Sequence, residues 1–172
     1  MDPNGRRSIR RTYPLLGSIL SVLLLIACSG ITVISDYDEE TDKSLTSLQQ
    51  KTDDFVERLE GVTGTSDGAF EKNKDFYDDA DRDLRQLEFR VNSIPKNGDT
   101  VELVSDIRKV LLGEGKCNSE GTSLKDLHCS PSGMQSGPSK DALVIAQRTV
   151  NQTISAALNL EIAKKQGLER NK

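Results

Sequence analysis

The sequence predicts an all-α protein, an antiparallel (up-down-up-down) four-helix bundle that follows an N-terminal signal or membrane-anchor helix. Three observations support this fold class. Apolar residues recur at steps of three and four in four separate segments, polar glycine-rich stretches separate those segments, and none alternates apolar and polar residues as a strand would. The apolar stripes are narrow, about the width of a coiled-coil seam.

The first element is an uncharged run from Tyr13 to Ser35, preceded by four arginines. Within it, Leu15 to Ala27 is an apolar stretch of 13 residues that ends on a small residue. A basic start, an apolar stretch of this length and a small residue before the cut are typical of a secretory signal peptide. We therefore expect residues 1–27 to be removed and the rest of the chain to be exported.

The end of the apolar stretch, Leu25-Ile26-Ala27-Cys28, resembles a bacterial lipobox. The resemblance implies cleavage before Cys28 and lipidation of its thiol. In such lipoproteins an Asp after the cysteine is associated with retention in the inner membrane, so Ser29 favours the outer membrane of a bacterial envelope. Each buried methylene of an acyl chain contributes about 0.8 kcal/mol, so more than one chain holds a protein stably.

An uncleaved transmembrane helix is the alternative. Ile31, Val33 and Ile34 continue the apolar character, so the run 13–35 is 23 residues long. About 20 residues are enough to span a bilayer. The arginines would then lie in the cytoplasm under the positive-inside rule. The protein would be a single-pass inner-membrane protein, and both interpretations place residues 36–172 outside the cytoplasm.

The charge balance bears on possible partners. Removal of residues 1–27 takes away four arginines and Asp2, which leaves 19 basic and 26 acidic residues. An acidic surface opposes binding to nucleic acid and to anionic lipid faces. We expect contact with membrane lipid through the N-terminal anchor and no nucleic-acid partner.

Residues 28–40 are predicted to be an acidic tether, and residues 41–167 the bundle. The acidic residues 36–40 also favour the start of a helix. The first helix is expected from Thr41 to about Gly61, where glycines interrupt the pattern. Its inward stripe is Leu45, Leu48, Thr52, Phe55 and Leu59.

The second helix has the clearest pattern and ends at Ile94, because the residue before a proline leaves the α region. Its stripe is Phe70, Asn73, Tyr77, Ala80, Leu84, Leu87, Val91 and Ile94. Asp99 or Thr100 is expected to cap the third helix. The inward residues of the third helix are Val101, Val104, Ile107, Val110 and Leu111.

Residues 114–138 are rich in Gly, Ser and Pro and are predicted to be a long loop, with one turn around Leu124 to Leu127. The last helix is expected from about Ser139 to Gln166, with Gly167 as its stop. Its stripe is Leu143, Ala146, Val150, Ile154, Ala157, Leu158, Glu161 and Ile162.

Several short segments together resemble a group of small, uncharacterised proteobacterial lipoproteins. These segments are Tyr37 to Asp42, Phe55 to Leu59, Phe76-Tyr77, Asn97 with Thr100, and Leu160 to Lys165. The resemblance covers roughly residues 20–167. It implies a helical lipoprotein fold and no known reaction.

Two further cysteines lie in the long loop. Cys117 and Cys129 enclose about 13 residues, and an exported protein reaches an oxidising compartment. With Cys28 lipidated, these two are predicted to form a disulfide worth roughly 3 kcal/mol on the chain-entropy model. Two free thiols are the alternative.

No set of residues predicts catalysis, a metal or a cofactor. His128 beside the two loop cysteines fits no standard zinc spacing, and it is interpreted as a lone loop histidine. One histidine also excludes a di-iron bundle, which needs two. Gly64-Thr65-Ser66-Asp67-Gly68 matches the pattern Gly-x-Ser-x-Gly, but it lies in the break between two predicted helices and not after a strand, where a nucleophile turn is built. The acidic runs at 53–54, 78–79, 81 and 83 fall on helical faces, unlike a calcium loop.

These observations favour a non-enzymatic envelope lipoprotein whose periplasmic bundle is an interaction or structural module. Its partner would be an envelope protein or a second copy of itself. The alternative is a small-ligand sensor or carrier on a single-pass anchor, with a pocket among the helices near the disulfide loop. An apolar pocket walled by Phe70, Tyr77 and the last helix would favour this alternative. A carrier needs an enclosed apolar cavity of a few hundred Å³, whereas an interaction module needs an exposed apolar patch.

Overall fold

A computed structural model of the protein describes residues 34–118 and 120–170. These residues form six α-helices and one 3₁₀ turn, with no strand among them, so the all-α prediction is confirmed. The sequence predicted four helices, and the two additional ones are short helices inside the expected loop 114–138. The elements are α1 (Glu39–Val62), the 3₁₀ turn (Ser66–Gly68), α2 (Phe70–Ser93), α3 (Gly98–Leu112), α4 (Leu124–His128), α5 (Gly133–Ser136) and α6 (Lys140–Arg170).

The predicted signal peptide and Cys28 lie outside the described residues, as does nearly all of the alternative span 13–35. Within residues 34–118 and 120–170, none of the helices combines the length and the apolar character that crossing a bilayer requires.

The four long helices contact one another in a ring. α1 packs against α2 and α6, and α3 packs against the same two helices. Arg90, late in α2, bonds to Asp38 at the start of α1. Lys51, farther along α1, bonds to Asp83, which is earlier in α2. Residue numbers therefore rise along α1 while they fall along its neighbour α2.

α1 begins two residues before the expected start at Thr41. Asp38 is its N-cap, and its carboxylate accepts hydrogen bonds from the Thr41 backbone N–H (2.9 Å) and hydroxyl (2.6 Å). Glu39, Glu40 and Asp42 occupy the first turn, where negative charge is favourable. Part of the predicted tether is therefore the cap and first turn of this helix.

The expected cap of α3 at Asp99 or Thr100 is wrong. The helix begins at Gly98, and Asn97 stands at the cap position without a side-chain capping bond. The Asn97 amide instead donates to the Val91 carbonyl oxygen and accepts from Lys164. Thr100 is fully buried, and its hydroxyl donates to Glu161.

The end of α6 also differs from the prediction. The helix continues through Gly167 to Arg170, and Ile162, expected in the inward stripe, is 45% exposed. The stripe passes from Ala157 to Glu161 and then to Lys164, all of which are buried. Steps of four and three keep these residues on one helix face, whereas Ile162 is rotated about 100° from Glu161.

The core follows the predicted stripes closely in α1, where all five expected residues are buried. An aromatic cluster fills one part of it. The Phe55 and Phe76 rings stack with centroids 3.8 Å apart, and the Tyr77 ring lies edge-on to Phe55 at 5.4 Å. In α2, Asn73 is only half-buried, because its amide donates to the carbonyl oxygens of Asp67 and Ala69 at the start of the helix.

Candidate functional site

Two groups of buried polar side chains stand out within the helical body. The first, the Lys164 network, consists of Ser35, Asn97, Thr100, Glu161 and Lys164. The second, the His128 cluster, consists of Gly68, Tyr77 and His128. Buried polar groups are costly unless they are hydrogen-bonded, so each group calls for an account of its partners.

Lys164 is the centre of its network and is 6% exposed. Its ammonium donates to Glu161 Oε1 (2.6 Å), Asn97 Oδ1 (2.7 Å) and Thr100 Oγ1 (2.7 Å). An ammonium has three N–H donors, so all of them are used. A buried ion pair is tolerable only with this degree of hydrogen bonding, because desolvation of the two charges is expensive.

Glu161, the partner of Lys164, is fully buried and accepts further hydrogen bonds. The Thr100 hydroxyl donates to Oε1 at 3.0 Å, and the Asp38 backbone N–H reaches Oε2 at 3.3 Å. Both carboxylate oxygens are therefore bonded. The network joins α6 to α3 and to the segment that precedes α1.

The segment before α1 is fixed by side chains and by backbone. The Ser35 hydroxyl donates to Asn97 Oδ1 (2.7 Å), and its backbone N–H donates to the Lys96 carbonyl oxygen (3.0 Å). Asp38 accepts two bonds from the Arg90 guanidinium, one of them from Nε at 2.6 Å. The first residues that the structure describes are thus held against the helical body.

Two side chains of this segment have shifted pKa values. The hydrogen bond from Arg90 is the main reason why the pKa of Asp38 is held well below its usual range. The Tyr37 hydroxyl donates to Asp42 at 2.8 Å, and this bond chiefly raises the pKa of Tyr37 to about 12. The Lys165 ammonium lies 5.3 Å from the centre of the Tyr37 ring.

The His128 cluster corrects the prediction of a lone loop histidine. His128 is fully buried at the end of α4, with Nε2 2.8 Å from the Gly68 carbonyl oxygen and Nδ1 2.9 Å from the Tyr77 hydroxyl. A carbonyl oxygen only accepts, so this partner assigns the proton to Nε2. Nδ1 then accepts from the Tyr77 hydroxyl. Burial lowers the pKa of His128 and raises that of Tyr77.

The loop cysteines lie beside this cluster. Cys117 and Cys129 are at disulfide distance, with Cα atoms 5.7 Å apart, in agreement with the predicted pair. Inside the loop that they close, the Asp126 carboxylate accepts from the Ser123 hydroxyl (2.6 Å) and from the Asn118 backbone N–H (3.0 Å). The disulfide and the buried Asp126 hold together residues 113–118 and 120–138, which we name the disulfide lobe.

Several residues of the acidic runs, and the nearby Glu88, are paired with basic side chains. Asp81 and Glu88 both bind Arg108, and Asp83 binds Lys51. Among residues 34–118 and 120–170, no group of three or more His, Cys, Asp or Glu side chains is arranged to hold a metal ion.

The position where a carrier would need its cavity is filled. Tyr77 is buried, and the rings of Phe55, Phe70, Phe76 and His128 surround it with centroids 5.2–5.7 Å away. The surface has several open clefts, among them one of about 490 Å³ beside Cys117 and Cys129 and one of about 470 Å³ between α1 and α2. The cleft between α1 and α2 is lined largely by polar and charged side chains.

Comparison with known proteins adds no relative, since no protein-family model, curated protein or solved structure matches the chain. The resemblance to proteobacterial lipoproteins therefore stays a prediction.

Sequence reasoning placed Glu161 on the inward stripe of α6 but missed the network around it. One signal was available, because Lys164 continues the steps of four and three from Ala157 and Glu161. A Lys and a Glu on the inward face predict a buried pair that needs further donors and acceptors. Their identity as Asn97 and Thr100 depends on the packing of α3 and could not be predicted from the pattern alone.

Proposed function

We propose that this chain is a non-enzymatic lipoprotein of the bacterial envelope. Cys28 carries the lipid, and the helical body lies on the periplasmic side as an interaction or structural module. The observation that carries the proposal is the fixation of Ser35 and Asp38 by the Lys164 network and Arg90. It supports a body that follows directly on an anchor with little free chain between them.

The length of chain supports the same arrangement. Seven residues lead from Cys28 to Ser35, and a fully extended chain of that length spans at most about 25 Å. A lipid on Cys28 would therefore hold the end of the body that contains Ser35 close to the bilayer. A short tether of this kind suits a module that acts at the membrane surface.

The proposed architecture is the complete up-down-up-down bundle behind this anchor. The ring of contacts among α1, α2, α3 and α6 supports it, as does the opposite course of α1 and α2. In such a bundle the Lys164 network closes the end near the anchor, and the disulfide lobe covers the far end.

The buried polar groups support a structural role over a catalytic one. A general acid or base must reach the proton that it transfers, directly or through one water. Lys164 donates all three of its protons within the body, and both nitrogens of His128 are bonded to protein atoms. Each group is out of solvent and already has its partners.

The filled core supports an interaction module over a carrier. A carrier needs an enclosed apolar cavity of a few hundred Å³, and the space around Tyr77 is occupied by the rings of Phe55, Phe70, Phe76 and His128.

The experiment that tests the proposal is protease access in a Gram-negative host that expresses the full chain. We expect the body to resist added protease in intact cells and to be degraded once the outer membrane is permeabilised. In the Cys28→Ser variant the body should leave the washed membrane fraction or remain as an uncleaved precursor. Resistance to protease after permeabilisation, with a cytoplasmic marker equally protected, would contradict an exported body.

A further inference from the structure

The two ends of the Cys117–Cys129 disulfide differ in their access to solvent. Cys117 is exposed, whereas Cys129 is only 4% exposed. An open cleft of about 490 Å³ lies beside the bond, and both cysteines line it together with Pro131, Met134 and Gln135. A molecule that enters this cleft therefore meets the bond at its exposed end, while the protein covers the other end.

The two cysteines also belong to different parts of the disulfide lobe. Cys129 follows α4 as its C-cap and packs in the hydrophobic core. Cys117 lies within residues 114–118, all of which are exposed, and we name them the Cys117 segment. A polar contact ties this segment to α4, since the Asn118 backbone N–H donates to Asp126 at 3.0 Å. Opening of the disulfide therefore leaves Cys129 in the core and frees Cys117 to carry an attached group.

We propose that Cys117 is a thiol-exchange site, at which the thiolate of a partner forms a mixed disulfide with this chain. The partner sulfur bonds to Cys117 Sγ as the bond between Cys117 and Cys129 breaks. Cys129 leaves as a thiolate and takes a proton from water. One disulfide is lost and one is formed, so the exchange needs no other oxidant or reductant.

Attack on Cys129 is the competing reaction. The rate of exchange depends on access to the sulfur that is attacked, and buried cysteines are inert. Burial also makes Cys129 a slow leaving group, because a thiolate in the core is poorly solvated. This slows the exchange without redirecting it, since a sulfur that the partner does not reach is not attacked.

The mixed disulfide has a path back to the native bond. Cys129 stays in the same lobe, so its thiol attacks Cys117 again at an effective concentration on the order of 1 mM or more. This return step releases the partner thiol. The mixed disulfide is therefore short-lived, and acid, which protonates the thiolates, is needed to trap it.

Exchange with a small thiol tests which sulfur is attacked. The full chain, purified in detergent with its disulfide intact, is mixed with mercaptoethanol, quenched early with acid and mapped by peptide mass spectrometry. We expect at least about tenfold more adduct on Cys117 than on Cys129, because the fold shields the buried sulfur. The preference should disappear in concentrated urea. Equal adducts in the folded chain, an excess on Cys129 or no adduct would overturn the proposal.

A blocked cleft tests the path of entry. Gln135→Trp places a bulky ring at the cleft, and we expect at least about fivefold slower exchange with mercaptoethanol because access to the sulfur is reduced. Gln50→Trp, at an exposed glutamine of α1, is the matched control and should exchange at the wild-type rate. Equal rates for the two variants would contradict entry through the cleft.

A thioredoxin that lacks its second active-site cysteine distinguishes the sources of the thiolate. Mixed disulfide with this protein as well as with mercaptoethanol assigns Cys117 to protein thiols, and exchange with mercaptoethanol alone assigns it to small thiols.

The disulfide needs an oxidising compartment, so its presence in the cell rests on the export in the proposed function. A chain isolated from membranes with both loop thiols free counts against export, and it is oxidised before the exchange assay. Failure of Cys117 and Cys129 to pair at that step overturns the exchange site. A chain isolated with the disulfide that forms its adduct on Cys129 overturns the exchange site alone.

Discussion

His128 connects three parts of the body through one ring. It lies inside the loop that Cys117 and Cys129 close, bonds to the 3₁₀ turn through Gly68 and bonds to α2 through Tyr77. Protonation of Nδ1 would remove the acceptor of the Tyr77 hydroxyl in a buried site. An unsatisfied buried hydroxyl costs about 1–3 kcal/mol.

Stability should therefore fall on mild acidification. Because burial holds the pKa of His128 below 6.5 in the folded state, the unfolded chain binds more protons between that pKa and 6.5. The stability that neutral His128 contributes is complete above pH 6.5 and is lost as the pH falls below 6.5. We expect His128→Gln to flatten the pH dependence of the free energy of unfolding between pH 6.5 and 5, measured in urea. Equal slopes for both proteins would contradict a buried neutral histidine.

Removal of the Lys164 ammonium should have a larger effect. Lys164→Met leaves the buried Glu161 carboxylate without its ion pair, and breaking such a pair costs about 3–5 kcal/mol. The neighbour Lys165 is exposed and lies over the Tyr37 ring, so Lys165→Met should change stability by no more than about 1 kcal/mol. The double variant Lys164→Met, Glu161→Gln should lose less than Lys164→Met alone. Urea unfolding of the three variants measures this, and similar values for Lys164→Met and Lys165→Met would refute the network.

At the scale of the helix, Asp38 both caps α1 and pairs with Arg90. Asparagine caps a helix about as well as aspartate, so Asp38→Asn isolates the charge. The pKa of Asp38 is lowered below its ordinary 3.8, so its contribution is present above pH 3.8 and is lost as the pH falls further. We expect the stability difference between wild type and Asp38→Asn to shrink from pH 5 to pH 2, as followed by thermal unfolding. A difference in stability that stays constant from pH 5 to pH 2 would show that the Asp38 charge does not stabilise the fold.

The disulfide lobe is the second element with a measurable role. Cys117 and Cys129 close a short loop, for which the chain-entropy model gives roughly 3 kcal/mol. We expect the paired variant Cys117→Ser, Cys129→Ser to unfold at lower denaturant. Amide hydrogen exchange should speed up first within residues 113–138, while α1 stays protected. Exchange that rises equally in α1 would show that the lobe does not unfold as a separate unit.

The limits of sequence reasoning follow from these same elements. The stripe of α1 was predictable because its five inward residues recur over four turns and pack on neighbouring helices. α4 and α5 are too short to show a helical period. The pattern therefore predicted one turn around Leu124 to Leu127, where α4 lies, and missed α5. Thr100 was missed for another reason. It is a polar residue whose burial depends on Glu161 and Lys164, which are more than 60 positions away in the chain.

For the whole molecule, the central claim is that a lipid on Cys28 holds the helical body at the membrane. The choice between a cleaved lipoprotein and an uncleaved single-pass protein depends on this one modification. The intact mass of the protein extracted from the membrane fraction tests the claim most directly. The account predicts the mass of residues 28–172 plus acyl chains, and loss of that species in Cys28→Ser. Unmodified full-length protein in the membrane would contradict it and would identify residues 13–35 as an uncleaved transmembrane helix.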